Sequence, residues 1–184
     1  MGTAVDGAMK AFWQLGYSAT NLPALLRAMN LSRGSFYKAF GDKHTAYLAA
    51  LDHYERNHIA AAVTLLTDPA SGAGFDRILQ LFEMAQDDRQ TTAKGCFVCN
   101  AMVEVAPNDE EVADRTLCMA GKLEEALFVA VSDIEELRPL DEEARRRKAA
   151  ILTRFYIGSK ATGKTGRDRQ DWAALLRDIL CLSV

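Results

Sequence analysis

Apolar residues return every three or four positions along almost the whole chain, and nowhere do they alternate in the manner of a half-buried strand. That periodicity restricts the 184 residues to an all-α fold. Four prolines and twelve glycines leave room for long helices, and apolar residues at 49% can fill a real core. Val5, Ala8, Phe12 and Leu15 form one face of a first helix that ends at Gly16. A second helix turns Leu22, Leu25, Leu26 and Met29 inward, with Asn21 as its N-cap and Pro23 in its first turn, where a missing N–H does no harm. Ser32 caps a short third helix that buries Phe36 and Phe40 one turn apart, and Asp42 caps a fourth that runs to about Leu66. After a loop at 68–74, helices are predicted at about 75–89, 95–106, 109–137, 141–163 and 168–182, giving about nine in all.

Charge and cysteine usage narrow the setting. No apolar run approaches the roughly 18 to 20 residues that cross a bilayer, and no signal sequence opens the chain, which points to the cytoplasm and to no membrane partner. Four scattered cysteines, at 96, 99, 118 and 181, do not make a disulfide framework. The net charge of −3 divides unevenly: residues 1–50 carry five basic against two acidic side chains, and the rest carry 17 against 23. A basic head on an acidic body suits a protein that meets phosphate at one end.

The head has the spacing of a DNA reader. Two short helices joined by Asn30-Leu31-Ser32-Arg33 form a helix-turn-helix, whose second helix can lie in a major groove. With Phe36 and Phe40 inward, Gly34 and Lys38 point outward, flanked by Arg33 and Tyr37. Gly34 permits close approach, Arg33 can reach guanine edges or phosphate, and Tyr37 and Lys38 can hold phosphate. Lys43 stands at the start of the fourth helix, where its charge and the free N–H groups favour an anion. An ordinary helical hairpin with solvated charges has the same pattern, so a helical interaction module without specific DNA binding is the alternative.

The run GYSATNLPALLRAMNLSRGSFYKAFGDKHTAYLAAL resembles the DNA-binding region of the TetR family of bacterial regulators. The likeness rests on Gly16-Tyr17, Ala19-Thr20, the Leu31-Ser32-x-Gly34 turn, Phe36-Tyr37, Phe40, and Lys43 before Leu48. It implies an all-helical homodimer that binds a palindromic operator in double-stranded DNA, usually as a repressor, with Thr20, Arg33, Ser35, Tyr37, Lys38 and Lys43 at the DNA. The head is assigned to residues 1–46 and a sensing and dimerisation domain to 47–184. The longer basic N-terminal arm of many members is not matched: only about four residues precede the first predicted helix.

The same resemblance places a dimer interface on the last two long helices, here at Phe155, Trp172, Leu175, Leu176 and Ile179. Those stripes equally suit burial within one subunit. Cys96, Cys99, Met102 and Val103 share one helical face. They read as a buried stripe, yet Gly95-Cys96 opens a helix, where free amides stabilise a thiolate. The stretch resembles the electrophile- and oxidant-sensing branch of the family, which implies Cys96 as the reactive thiol and Lys164 as its partner. A small apolar effector held among Phe82, Met84, Met102, Met119, Phe128 and Phe155 is the other sensor reading.

Nothing points to an enzyme, a cofactor or a metal. Cys96-x-x-Cys99 lies inside a helix without two further ligands, and His53 and His58 diverge round theirs. Gly158-Ser159-Lys160-Ala161-Thr162-Gly163-Lys164-Thr165 has the composition of a phosphate loop but lacks the strand and spacing that such a loop requires.

Overall fold

A computed structural model describes residues 2–87, 94–163 and 170–182, and every regular element among them is helical. The helices are α1 (Gly2–Leu15), α2 (Leu22–Met29), α3 (Arg33–Phe40) and α4 (Lys43–Tyr54), followed through a π turn at Glu55–Ile59 by α5 (Ala60–Thr67). Then come α6 (Gly74–Asp87), α7 (Phe97–Glu104), α8 (Glu110–Ser132), α9 (Glu142–Gly163) and α10 (Trp172–Leu180). With α4, the π turn and α5 taken as one continuous run, the described residues hold nine helices, matching the predicted architecture.

The caps account for the starts. Asn21 Oδ1 accepts from Ala24 N at 2.9 Å, Ser32 Oγ from Ser35 N at 3.1 Å and Asp42 Oδ1 from Thr45 N at 2.7 Å. Two predicted helices differ in detail. The fourth carries the π turn, and the one expected over 109–137 stops at Ser132, with Glu135–Leu137 as a 3-10 turn. That break coincides with Asp133, whose carboxylate accepts from the buried Arg77 guanidinium.

The chain packs as two compact units. One comprises Met1–His58 and Cys96–Met119; the other comprises Ile59–Gly95 and Ala120–Val184. Contact therefore groups α4, α7 and the first part of α8 with the three head helices.

In the first unit α1 lies against α2 and α4. Gly7 makes this possible, because a Cβ there would collide with the Ala28 carbonyl. Phe12, Trp13, Leu25, Phe36, Tyr47 and Phe97 are buried around this crossing. Phe97 of α7 meets the ring of Tyr47 at 5.7 Å and that of Tyr54 at 5.6 Å, both edge-on.

The second unit has its own core, with Leu66, Ile78, Phe82, Leu127, Leu152 and Leu180 among its members. Arg77 is 1% exposed inside it and also donates to the Leu66 carbonyl at 2.7 Å. Of the expected interface residues, Trp172 and Leu176 are buried in this core, Trp172 beside Phe82 at 5.2 Å. A side chain already out of water has little left to gain from a second subunit. Phe155, Leu175 and Ile179 are only partly buried, and Ile151 of α9 is 52% exposed. Gly158 to Gly163 continue α9, so the glycine-rich run is helix rather than a phosphate cradle over those residues. Met84, named as a pocket residue, is 68% exposed.

Candidate nucleic-acid interface

Helix α3 is eight residues long and divides cleanly. Phe36 and Phe40 are buried, while Arg33, Gly34, Ser35, Tyr37 and Lys38 are exposed. The helix is fixed at both ends: Ser32 caps its start, and Gly41, at φ +76°, ends it with its N–H on the Tyr37 carbonyl. Ser35 is tied back to Ser32, hydroxyl to hydroxyl at 2.9 Å. The Arg33 guanidinium lies 5.8 Å from the Tyr37 ring centroid. Among the described residues neither Arg33 nor Lys38 makes an ion pair, so both charges face water.

Gly34 has no neighbour within 4 Å of the position a Cβ would take. Glycine in a helix costs about 1 kcal/mol relative to alanine. Nothing within 4 Å in the folded chain requires a glycine there.

Two other expected positions look different in three dimensions. Thr20 is fully buried and donates its hydroxyl to the Gly16 carbonyl at 2.6 Å. The side chain is engaged in the α1–α2 turn. Lys43 is half-buried, with its ammonium 4.4 Å from the centroid of the Tyr17 ring. Burial pushes its pKa down, against the opposing pull of the Glu104 carboxylate.

Glu104 is the residue that sequence reasoning missed. Its two oxygens accept from Tyr17 N at 2.9 Å and Ser18 N at 2.8 Å, on the turn between α1 and α2. Gly16, at φ +85°, leads into that turn, and a Cβ on it would lie 2.9 Å from Glu104 Oε2. Burial alone would raise the Glu104 pKa, but the Ser18 and Tyr17 amides, the Ser18 side chain and the Lys43 ammonium outweigh it and hold the carboxyl below its usual value. Asp109, just beyond α7, accepts from Val112 N at 3.1 Å and pairs with His44 Nε2 at 2.7 Å. No local pattern announces the Glu104 contacts, because its partners are 87 and 86 residues away.

Cys96 occupies the N-cap of α7, after Gly95 at φ +68°, and its side chain makes no capping bond. The thiol is buried, with Sγ 3.8 Å from the Tyr54 hydroxyl. Cys99 and Met102 are half-buried, but Val103 is 76% exposed, so the four do not form one buried stripe. Lys164 lies outside the described residues. Among the described residues no group of three or more His, Cys, Asp or Glu could hold a metal ion, and no helix is long and apolar enough to cross a membrane.

Residues 4–50, which contain most of α1 and all of α2 and α3, match the family model for bacterial regulatory proteins of the tetR family. The head is thus similar to the DNA-binding region of that family. Two relatives extend the likeness. YezE of Bacillus subtilis (strain 168), an uncharacterized HTH-type transcriptional regulator, is 28% identical over 123 residues, covering 66% of this chain and 62% of its own. The HTH-type transcriptional repressor ComR of Escherichia coli (strain K12) is 30% identical over 117 residues, covering 60% and 53%. The chain thus spans between half and two thirds of the length of these relatives. Among solved structures, a cysteine mutant of the TetR-family regulator CifR, complexed with 26-bp double-strand operator DNA, superposes with a TM-score of 0.75 at 23% identity, covering 98% of this chain and 95% of that one. The reduced form of E. coli NemR superposes with a TM-score of 0.79 at 20% identity, covering 98% and 94%. Likeness at that identity carries the TetR fold over nearly the full chain.

Proposed function

We propose that this chain is a sequence-specific DNA-binding transcriptional regulator, a homodimeric repressor released from a palindromic operator by a signal sensed in residues 47–184. The observation that carries the reading is α3, which presents Arg33, Gly34, Ser35, Tyr37 and Lys38 to solvent on a helix anchored by Phe36 and Phe40. Its N-terminal end aims at base edges, and its charges and hydroxyls set the register on phosphate. Phe155, Leu175 and Ile179, with Ile151, retain apolar surface that a second copy can cover. Changing the spacing of the two recognition helices away from one helical turn of DNA, about 34–36 Å, releases the operator.

For the signal, Cys96 supports an electrophile or oxidant: it is the residue that opens α7, and its thiol lies 3.8 Å from the Tyr54 hydroxyl. The test is fluorescence anisotropy on a site selected from a random DNA pool, with and without a mild thiol oxidant. Palindrome-dependent binding that oxidant abolishes in the parent but not in Cys96→Ser establishes both parts. Binding indifferent to oxidant keeps the regulator and moves the signal to a reversible small molecule. An absence of sequence selectivity overturns the regulator and leaves a helical interaction module.

A further inference from the structure

We propose that Glu104 is the positioning residue of the DNA-binding head: its carboxylate, seated on the Tyr17 and Ser18 amides beside Lys43, holds the α1–α2 turn in the arrangement that presents α3 to operator DNA. The inference rests on the regulator reading above and assigns that function a residue far from the reading face.

The Thr20 hydroxyl holds the Gly16 carbonyl of the turn, and the Glu104 carboxylate takes up the amides that follow it. Successive backbone N–H groups at Tyr17 and Ser18 form a small anion seat, and a carboxylate filling it makes two charge-assisted hydrogen bonds. Gly16 admits the oxygen where any side chain would crowd it. The Tyr17 ring continues the cluster, tilted on Tyr47 at 4.8 Å and covered on one side by Lys43. Glu104 itself is fixed, because it ends α7, which is held at its other end by buried Phe97 and Val98. Five residues on, the Asp109–His44 pair ties the start of α4 to the same short stretch of chain. The α1–α2 turn and the α4 start flank α2 and α3 in sequence, so the segment Glu104–Asp109 contacts the chain just before and just after the helix-turn-helix.

The geometry also admits an opposite role. A carboxylate on an anion seat beside Lys43 could stand where a DNA phosphate would bind, and its removal would then tighten binding. The sign of the effect decides between them.

The experiment uses the full chain with Glu104→Ala and Glu104→Gln, the selected DNA site, and a salt titration. Amide hydrogen exchange at Tyr17 and Ser18 and a thermal melt accompany it. We expect Glu104→Ala to weaken binding of the folded protein about tenfold, with an unchanged salt slope and faster exchange at both amides. Glu104→Gln keeps one acceptor oxygen and the fold, and loses less. Unchanged affinity in folded variants overturns the proposal and leaves Glu104 a stability residue. Tighter binding with a steeper salt slope overturns it in favour of phosphate competition. If the parent shows no sequence selectivity while both amides open in the variants, the regulator reading has failed and this role with it, although the clasp itself is real.

Discussion

Helices α3 and α7 are both eight residues long and belong to the same compact unit, yet they are held in opposite ways. Helix α3 is locally complete. A serine caps its start, a left-handed glycine ends it, two phenylalanines anchor it and the remaining surface is free. Helix α7 has a thiol at its N-cap with no capping bond, buries Phe97, Val98 and Ala101, and gives the carboxylate of its last residue to another part of the chain. A helix that satisfies its own ends can devote its surface to a partner. One that does not depends on tertiary contacts, and it can therefore transmit changes in them.

Substitutions can break or sharpen that contrast. The largest effects belong to the anchors: Phe36→Ala and Phe97→Ala should each cost about 3–5 kcal/mol, read by denaturant melts. If Phe97→Ala costs under about 1 kcal/mol, α7 does not depend on its packing as argued. Next comes Arg33→Ala, expected to weaken operator binding by about 1–3 kcal/mol and to relax specificity at one base while leaving the melt unchanged. Equal losses on operator and random DNA would refute base reading by Arg33. Ser32→Ala should lower stability by about 1 kcal/mol through the lost cap, whereas α7 has no such bond to lose. Gly34→Ala should reverse the sign, raising stability by about 0.5–1 kcal/mol while impairing operator binding. A gain in stability with full binding would mean that no close approach occurs there.

Acid has the smallest expected effect, because the Glu104 carboxylate is exposed and screened by solvent. Its folded pKa lies below the ordinary value of 4.5, so its contribution is present above that pH and disappears as pH falls through the depressed value. The acid limb of the stability curve should flatten in Glu104→Gln; an identical limb in both proteins would show that the clasp contributes nothing to folding.

Much of the candidate site was legible in the sequence because its causes are local. Asn21, Ser32 and Asp42 cap helices within three residues of themselves, and the spacing of Phe36 and Phe40 alone dictates which side chains of α3 face outward. The burial of Thr20 was not legible, because a family position does not tell whether a hydroxyl turns to solvent or to the Gly16 carbonyl. The burial of Trp172 and Leu176 was not legible either, because an amphipathic stripe has the same period whether it is covered by its own chain or by another.

By itself, then, the sequence determined the helices, their caps and the exposed reading face of α3, since each follows from contacts within one or two turns. Only the tertiary structure decided that Cys96–Met119 packs with the head, that Trp172 and Leu176 are buried within their own unit, and that Glu104 seats on Tyr17 and Ser18. Those pairings join residues far apart in the chain, where no periodicity or capping rule connects one partner to the other. They exist because burying apolar faces brings distant segments together, and the polar groups left at the seams must then find one another.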